Sequence, residues 1–410
     1  TLELEQFQNA VDSFQSNVPA DLRNSEQTFY EELLNIARIP SFGDDFIAPL
    51  TAGVMDQGQL FEVIINLASR VETISGIDDL TSSLWIRSSL LAVIRVSSLF
   101  LDYSPEIVGA TLAILNGSSD SWRGQPEPIR YPSDPRYIFL KDDELMDRIF
   151  RISRSRFPYE SIPFLKLCRA LTGKVEVAGD DNSAVVRALL SMETFTQMVS
   201  PDFQGYETIR EDENANFVSL IQPLPLIPGK EAQPSSSTEG ALVLASSSLQ
   251  PATTGQVVSE SKPAVIMWYH EYSGLGFLGA CLEEWANTGG SSSGVDEDAI
   301  AEIIDTITDL MTSSHEHSPR AVLEKASDEL THRGDIISVV FDIFERSLQN
   351  AGTQSARPAT LERTISCLRF IRVLLSSFPN RVWPFLSRSS LLGPGGQGGR
   401  MTAIVSACEV

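Results

Sequence analysis

Gly274-Leu275-Gly276-Phe277-Leu278-Gly279 has the spacing most suggestive of a ligand-holding motif in this sequence. A GxGxxG placed after a strand and opening a helix lets a pyrophosphate approach the backbone and sit on the helix N-terminus. A β-rich run over 264–272 precedes it, and a helical pattern over 277–286 follows. Asp296, Glu297 and Asp298 stand near the distance of a ribose-binding carboxylate. That carboxylate must end a second parallel strand, whereas residues 288–294 form a Gly/Ser linker that runs straight into the next helix start. The glycines are therefore read as turn residues that bring the chain from strand to helix. The three acids are read as first-turn charges facing the positive end of a helix dipole.

Other motifs reduce in the same way. Gly290-Ser291-Ser292-Ser293-Gly294 matches GxSxG, but a nucleophile elbow stands between a strand and a helix and this stretch follows a helix. His315-Glu316-His317, with His332, has two imidazoles that could converge on a metal, yet no fourth ligand at a zinc-like spacing. The glycine-rich 393–399 lacks the Lys-Ser/Thr of a phosphate cradle. Trp268, Tyr269, Tyr272 and Trp285 form an aromatic group, read as packing a β insertion onto helices in preference to a peptide groove. No catalytic, cofactor-binding or metal-binding residue is assigned, and no cofactor is expected.

Residues of this kind need elements to position them, and the chain is written mostly in helical periods. From residue 1 to about 200, apolar residues recur at a 3.6-residue spacing between short breaks. Leu60, Ile64, Leu67, Ala68 and Val71 form one stripe. Over 81–101, Leu84, Ile86, Leu90, Val93, Ile94 and Phe100 occupy more than one face, which predicts cover on two sides. Helices are predicted over 104–115, 143–157, 161–171 and 182–199, with Asp143 and Ser183 as N-caps. Four prolines make 122–135 a loop.

Between 201 and 263 there are seven prolines, and short β-type runs fall at 217–221, 241–245, 256–259 and 264–272. That predicts a small β-barrel or curled sheet inserted between helical parts. Helical periods then resume. Ile300, Ile303, Ile304, Ile307, Leu310 and Met311 point one way, while Glu302, Asp305 and Asp309 point the other, toward water. Ile337, Val340, Phe341, Phe344 and Leu348 repeat the arrangement, and a long helix over 359–378 carries Arg363, Arg369 and Arg372 ahead of Arg381, read together as a solvated edge. The fold class is mainly α: an irregular α-solenoid of stacked antiparallel helices of the HEAT/ARM kind, with helical parts at 1–203 and 273–410 and the β insertion at 204–272.

Fifty-four acidic against 31 basic residues give a formal charge of -23 over 410 residues. Such a chain repels phosphate backbones, and no local basic patch overrides the field, so direct nucleic-acid binding is not expected. No apolar run reaches the roughly 20 residues a membrane span needs, and no membrane insertion is expected. Thr1 opens the sequence without a charged-then-apolar leader, so no signal peptide is expected and the sequence is read as a piece of a longer polypeptide. Cys168, Cys281, Cys367 and Cys408 lie far apart with no CxxC, as reduced packing residues of a cytosolic or nuclear protein would.

The stretch AVIMWYHEYSGLGFLGACLEEW at 264–285 and RVWPFL at 381–386 carry a resemblance. In these runs, and in its order of helices, β insertion and helices, the chain resembles the large α-solenoid scaffold nucleoporins of the nuclear pore's inner ring, in their fungal form. The resemblance implies a segment from the amino-terminal region of such a protein: a stacked-helix superhelix interrupted by an SH3-like barrel. It further implies a non-enzymatic scaffold role at the nuclear pore complex of the nuclear envelope, in nucleocytoplasmic protein and mRNA transport. The implied partners are other nucleoporins, including the linker nucleoporin of the inner ring, with the segment itself monomeric. The alternative is a transport-receptor-like or adaptor solenoid that binds Phe-Gly-rich or other extended peptides.

Overall fold

The computed structural model describes residues 60–75, 80–116, 129, 131–172, 184–209, 216–227, 248–259, 263–289, 296–313, 318–351 and 358–389. The chain divides into two compact units, Thr1–Arg123 with Tyr131–Arg151, and Gly124–Arg130 with Ile152–Val410.

In the first unit, α1 (Leu60–Ser75), α2 (Leu80–Phe100) and α3 (Pro105–Asn116) pack on one another. Ile64, Ala68 and Val71 of α1 are buried as their stripe predicts, but Leu67 is exposed. On α2, Leu91 and Ile94 are buried while Trp85, Val93 and Leu99 stay exposed, so the two-sided cover expected of this helix is not realised at those positions. α4 (Pro135–Lys141) starts where proline fits best, at the first helical position. Its N-cap Asp134 accepts from the Arg136 N–H at 2.9 Å and also pairs with the Arg136 guanidinium at 2.7 Å. α5 (Asp143–Leu145) is capped by Asp142, which accepts from Leu145 N–H at 3.1 Å, one residue before the expected cap. A π-helical turn, Met146–Arg151, continues it. The Ser183 cap and the 241–245 strand lie outside the described residues.

The second unit opens with α6 (Ile152–Ser155), α7 (Ser161–Leu171) and α8 (Ala184–Leu190). The helix expected over 182–199 stops at Leu190. Residues 192–199 form a strand instead, because Met-Glu-Thr-Phe-Thr-Gln-Met-Val mixes β-branched and aromatic residues and finds a partner along its whole length. Among the described residues seven strands follow in order: β1 (Met192–Val199), β2 (Tyr206–Thr208), β3 (Phe217–Leu220), β4 (Leu224–Pro225), β5 (Ser248–Leu249), β6 (Thr254–Ser259) and β7 (Ala264–Tyr272). Five make an antiparallel sheet in the order β1-β7-β6-β3-β2, and β4 pairs with β5. Among the described residues no ladder joins β1 to β2, so the sheet is open where a closed barrel was expected. The free edge of β1 is occupied by the residues after α6: Thr196 N–H donates to Phe157 at 3.0 Å and Tyr159 N–H donates to Thr196 at 3.1 Å.

Strand register explains how the sheet meets the helices. Val218, Gly255, Trp268 and Phe195 lie side by side across four strands, on one face. Gly255 is required there, since a Cβ would stand 2.6 Å from the Trp268 ring. Phe195 and Tyr272 then meet Phe277 edge-on, and Phe277 meets Phe157 in the same way, with centroids 5.4 to 5.9 Å apart, while Phe164 adds a tilted contact to Phe157. Edge-to-face rings of this kind contribute about 0.5–1.5 kcal/mol a pair beyond their burial. These rings fasten the sheet to helices; of the four aromatic residues read for that role, Tyr272 takes part, Trp268 is buried beside Gly255, Trp285 lies under Arg363 and Tyr269 is exposed.

The remaining helices are α9 (Gly274–Thr288), α10 (Glu297–Ser313), α11 (Pro319–Ser327), α12 (Ile336–Ala351), α13 (Pro358–Ser377) and α14 (Pro379–Leu386). α10 packs on α13, α11 and, across the whole β insertion, on α7; α12 packs on α13 and α9. The apolar stripes read from the sequence, Ile300 to Met311 and Ile337 to Leu348, are buried throughout. Cys168, Cys281 and Cys367 are buried and form no disulfide, and burial pushes the Cys168 and Cys367 thiols far up, which keeps them unreactive. No described helix is long and apolar enough to cross a membrane.

Candidate functional site

The polar interior of the second unit centres on α10. Glu302, Asp305 and Asp309 follow one another at i, i+3 and i+7 and so share a stripe, but this stripe does not face water. It faces Arg169 of α7 and Arg369 of α13. Arg169 Nη1 donates to Glu302 at 2.7 Å and its Nε to Asp309 at 2.9 Å, while Nη2 lies 3.3 Å from Asp305. From the other side, Arg369 Nη1 stands 2.7 Å from Asp305 Oδ1 and Nη2 3.5 Å from Asp309. Arg169, Asp305 and Asp309 are all below 9% exposed. The expectation that the acids of this helix and Arg369 are solvated is therefore corrected: burying the opposite, apolar stripe does not fill the gap between α7, α10 and α13, and paired charges fill it.

The electrostatics follow from that burial. Desolvation pushes the Asp305 carboxyl up to about 6 against the pull of Arg169 and Arg369, with Asp309 and Glu302 adding to the rise. Asp309 moves up for the same leading reason. Desolvation disfavours the Arg169 cation, but the three carboxylates outweigh it and hold its charge firmly. Removing one of the two guanidiniums would strand buried carboxylates, a loss of roughly 3–5 kcal/mol.

Two further buried charges tie helices to loops. Arg363, 1% exposed, lies over the Trp285 ring at 4.4 Å and donates to Glu297 at 3.1 and 3.2 Å. It too departs from the solvated edge expected for it; Arg372 and Arg381 are exposed, as read. Glu283 of α9 collects the backbone N–H groups of Thr331, His332 and Arg333 and the Thr331 hydroxyl, all at 2.8 to 2.9 Å. Desolvation pushes its carboxyl up, but those four donors outweigh it and the net direction is down.

The motifs of the sequence are placed differently from a ligand site. Gly274, Gly276 and Gly279 all lie inside α9, with Ser273 as N-cap accepting from Gly276 N–H at 3.1 Å. A Cβ at Gly279 would stand 1.9 Å from the Ala326 carbonyl oxygen, at Gly274 2.7 Å from that of Leu189, and at Gly276 2.6 Å from the Glu329 side chain. The glycines serve close packing of helix on backbone more than the turn expected of them. Asp296 accepts from Asp298 N–H at 3.1 Å at the start of α10. The serines of 290–294, His315, His317 and the 393–399 run lie outside the described residues; His332 is exposed. Among the described residues no group of three or more His, Cys, Asp or Glu is arranged to hold a metal. A groove of about 670 Å³ between α11, α12 and α14 carries Arg320, Glu324, Asp335 and Arg381, which pair with one another at 2.7 Å.

Sequence reasoning missed the α10 cluster. The signal available was Arg169, a charge set between Cys168 and Ala170 on an apolar helix and opposed by an acidic stripe 133 to 140 residues later.

Helices on both sides of an inserted antiparallel sheet, pinned to each other by interior ion pairs, define a helical protein whose buried polar residues hold elements together. A family model described as "Nucleoporin Nup188, N-terminal subdomain III" matches residues 265–410. The chain is similar to Nucleoporin NUP188 of Chaetomium thermophilum, 25% identical over 415 residues that cover 96% of this chain and 22% of that protein. It is also similar to Nucleoporin nup184 of Schizosaccharomyces pombe, 26% identical over 258 residues that cover 62% of this chain and 15% of that protein. The chain is thus similar to Nup188-type nucleoporins along most of its length, and it spans about a fifth or less of the length of these relatives.

Proposed function

We propose that the chain is part of a structural scaffold nucleoporin of the nuclear pore complex, at the nuclear envelope, and that it works through protein–protein contacts in support of nucleocytoplasmic transport. The observation that carries the proposal is the similarity to a nucleoporin along 96% of the chain. The packing agrees with it: interior charges such as Arg169 and Arg369 are spent on joining helices, a use that suits a load-holding part. The partners are other nucleoporins, the linker nucleoporin of the inner ring among them, and the segment on its own is monomeric and not an enzyme.

The finer architecture belongs to the same reading. The helices belong to an irregular α-solenoid of the HEAT/ARM kind, a reading supported within the second unit by the contact of α7 with α10 across the insertion. The sheet is an SH3-like module within it, antiparallel and five-stranded as such modules are. The organisation is then helical at 1–203 and 273–410 with the β insertion at 204–272, to which β1 lends an additional edge strand. A pull-down of the 410-residue chain from nuclear-envelope extract, quantified by mass spectrometry, tests the proposal: enrichment of inner-ring nucleoporins is expected, and enrichment of soluble cargo with no nucleoporin would overturn it.

A further inference from the structure

The α10 cluster holds more carboxylates than it has described cations to meet them. Glu302, Asp305 and Asp309 face two guanidiniums, those of Arg169 and Arg369, within a joint that is largely closed to solvent. The three acids are not equivalent. Glu302 accepts a directed bond from Arg169 Nη1 and keeps some exposure; Asp309 accepts one from Arg169 Nε. Asp305 sits between the two arginines, and its buried Oδ1 receives no directed hydrogen bond although Arg369 Nη1 stands 2.7 Å away. An oxygen so placed has a neighbouring charge but no proton of its own.

We infer that the joint between α7, α10 and α13 is proton-coupled: it takes up one proton, at Asp305, and packs most tightly when that proton is present. The groups acting on Asp305 are Arg169 from α7, Arg369 from α13, and Glu302 and Asp309 from its own helix; the Cys367 thiol of α13 also lies within its field. α9 and α11 pack on α10 as well, and among the described residues no charge from them is among the groups acting on Asp305. Protonation turns the surplus anion into a neutral acid, leaving two carboxylates against two guanidiniums.

The direction of the pH effect is set by the two states. The folded chain holds the proton up to about 6, and the unfolded chain holds it only in the ordinary carboxylate range near ~4. The contribution of Asp305 to folding is therefore complete below that range, falls as pH rises toward 6, and is flat above it. A two-unit separation corresponds to roughly a hundredfold change in the folding equilibrium constant.

The test is denaturant unfolding of the 410-residue chain and of its Asp305→Asn and Asp309→Asn variants between pH 4.5 and pH 8, with infrared difference spectra across the same range. Asparagine at 305 mimics the neutral acid. Asp305→Asn is expected to match the unsubstituted chain near pH 4.5, to be the more stable of the two at pH 8, and to lose the part of the pH slope assigned to Asp305. Asp309→Asn removes one of the anions that raise the Asp305 carboxyl, and is expected to keep the Asp305 transition but to move it to lower pH. A carboxylic-acid carbonyl band that titrates near pH 6, and is missing from Asp305→Asn, is expected as well. An unchanged slope in Asp305→Asn, or no such band in the unsubstituted chain at pH 5, would overturn the inference, the second result independently of how well either variant folds.

Discussion

At the scale of single residues, Gly279 shows how a pattern can be right about composition and misleading about purpose. Its hydrogen replaces a Cβ that would stand 1.9 Å from the Ala326 carbonyl oxygen, a backbone atom that cannot rotate away. Gly279→Ala must therefore push α9 and α11 apart. The expected cost is of order 1–3 kcal/mol, the range for overpacking a filled interior, read as a lower unfolding midpoint. A midpoint unchanged within error would show that the two helices sit less closely than described. The motif was visible in the sequence because glycine spacing is a local property. Its use was not, because Ala326 is 47 residues away along the chain and nothing in the spacing announces which backbone will approach.

Among elements, the helices with one wide apolar stripe were legible. Ile300, Ile304 and Ile307, and Ile337, Val340 and Phe344, are buried as their 3.6-residue period requires. Two kinds of element were misread. Residues 192–199 carry apolar residues at a helical spacing, Met192, Phe195, Met198 and Val199, and the strand is decided instead by β7, whose sequence lies more than 60 residues downstream. The acidic stripe of α10 was assigned to water because three carboxylates on one face ordinarily are solvated. Its partners, Arg169 and Arg369, come from helices on either side in sequence, so the pairing is a tertiary fact. Arg169→Met tests the cluster as a joint between elements: it leaves Glu302, Asp305 and Asp309 buried with Arg369 alone among the described cations. A loss of roughly 3–5 kcal/mol is expected, with hydrogen-exchange protection falling first in α7 and α10. Loss confined to α7, with α10 as protected as before, would show that the ion pairs do not couple the two helices.

For the whole molecule, the charge of -23 and the length set what the chain does not do as an electrostatic object, but function was read from resemblance, in the run around 264–285 and in the order of parts. That resemblance was legible because aromatic and glycine positions there are constrained by packing between β7 and α9, as Trp268, Tyr272 and Phe277 show. Which surface meets a partner was not legible, since a scaffold face need carry no reactive group to mark it. What this chain binds when purified decides between scaffold and adaptor. Size-exclusion chromatography with light scattering, on the 410-residue chain mixed either with the purified linker nucleoporin of the inner ring or with a Phe-Gly-rich peptide, separates the readings. A stable one-to-one complex with the linker, undisturbed by excess peptide, is the predicted result. Retention of the peptide together with no linker complex at micromolar concentration would contradict the scaffold assignment and favour a transport adaptor.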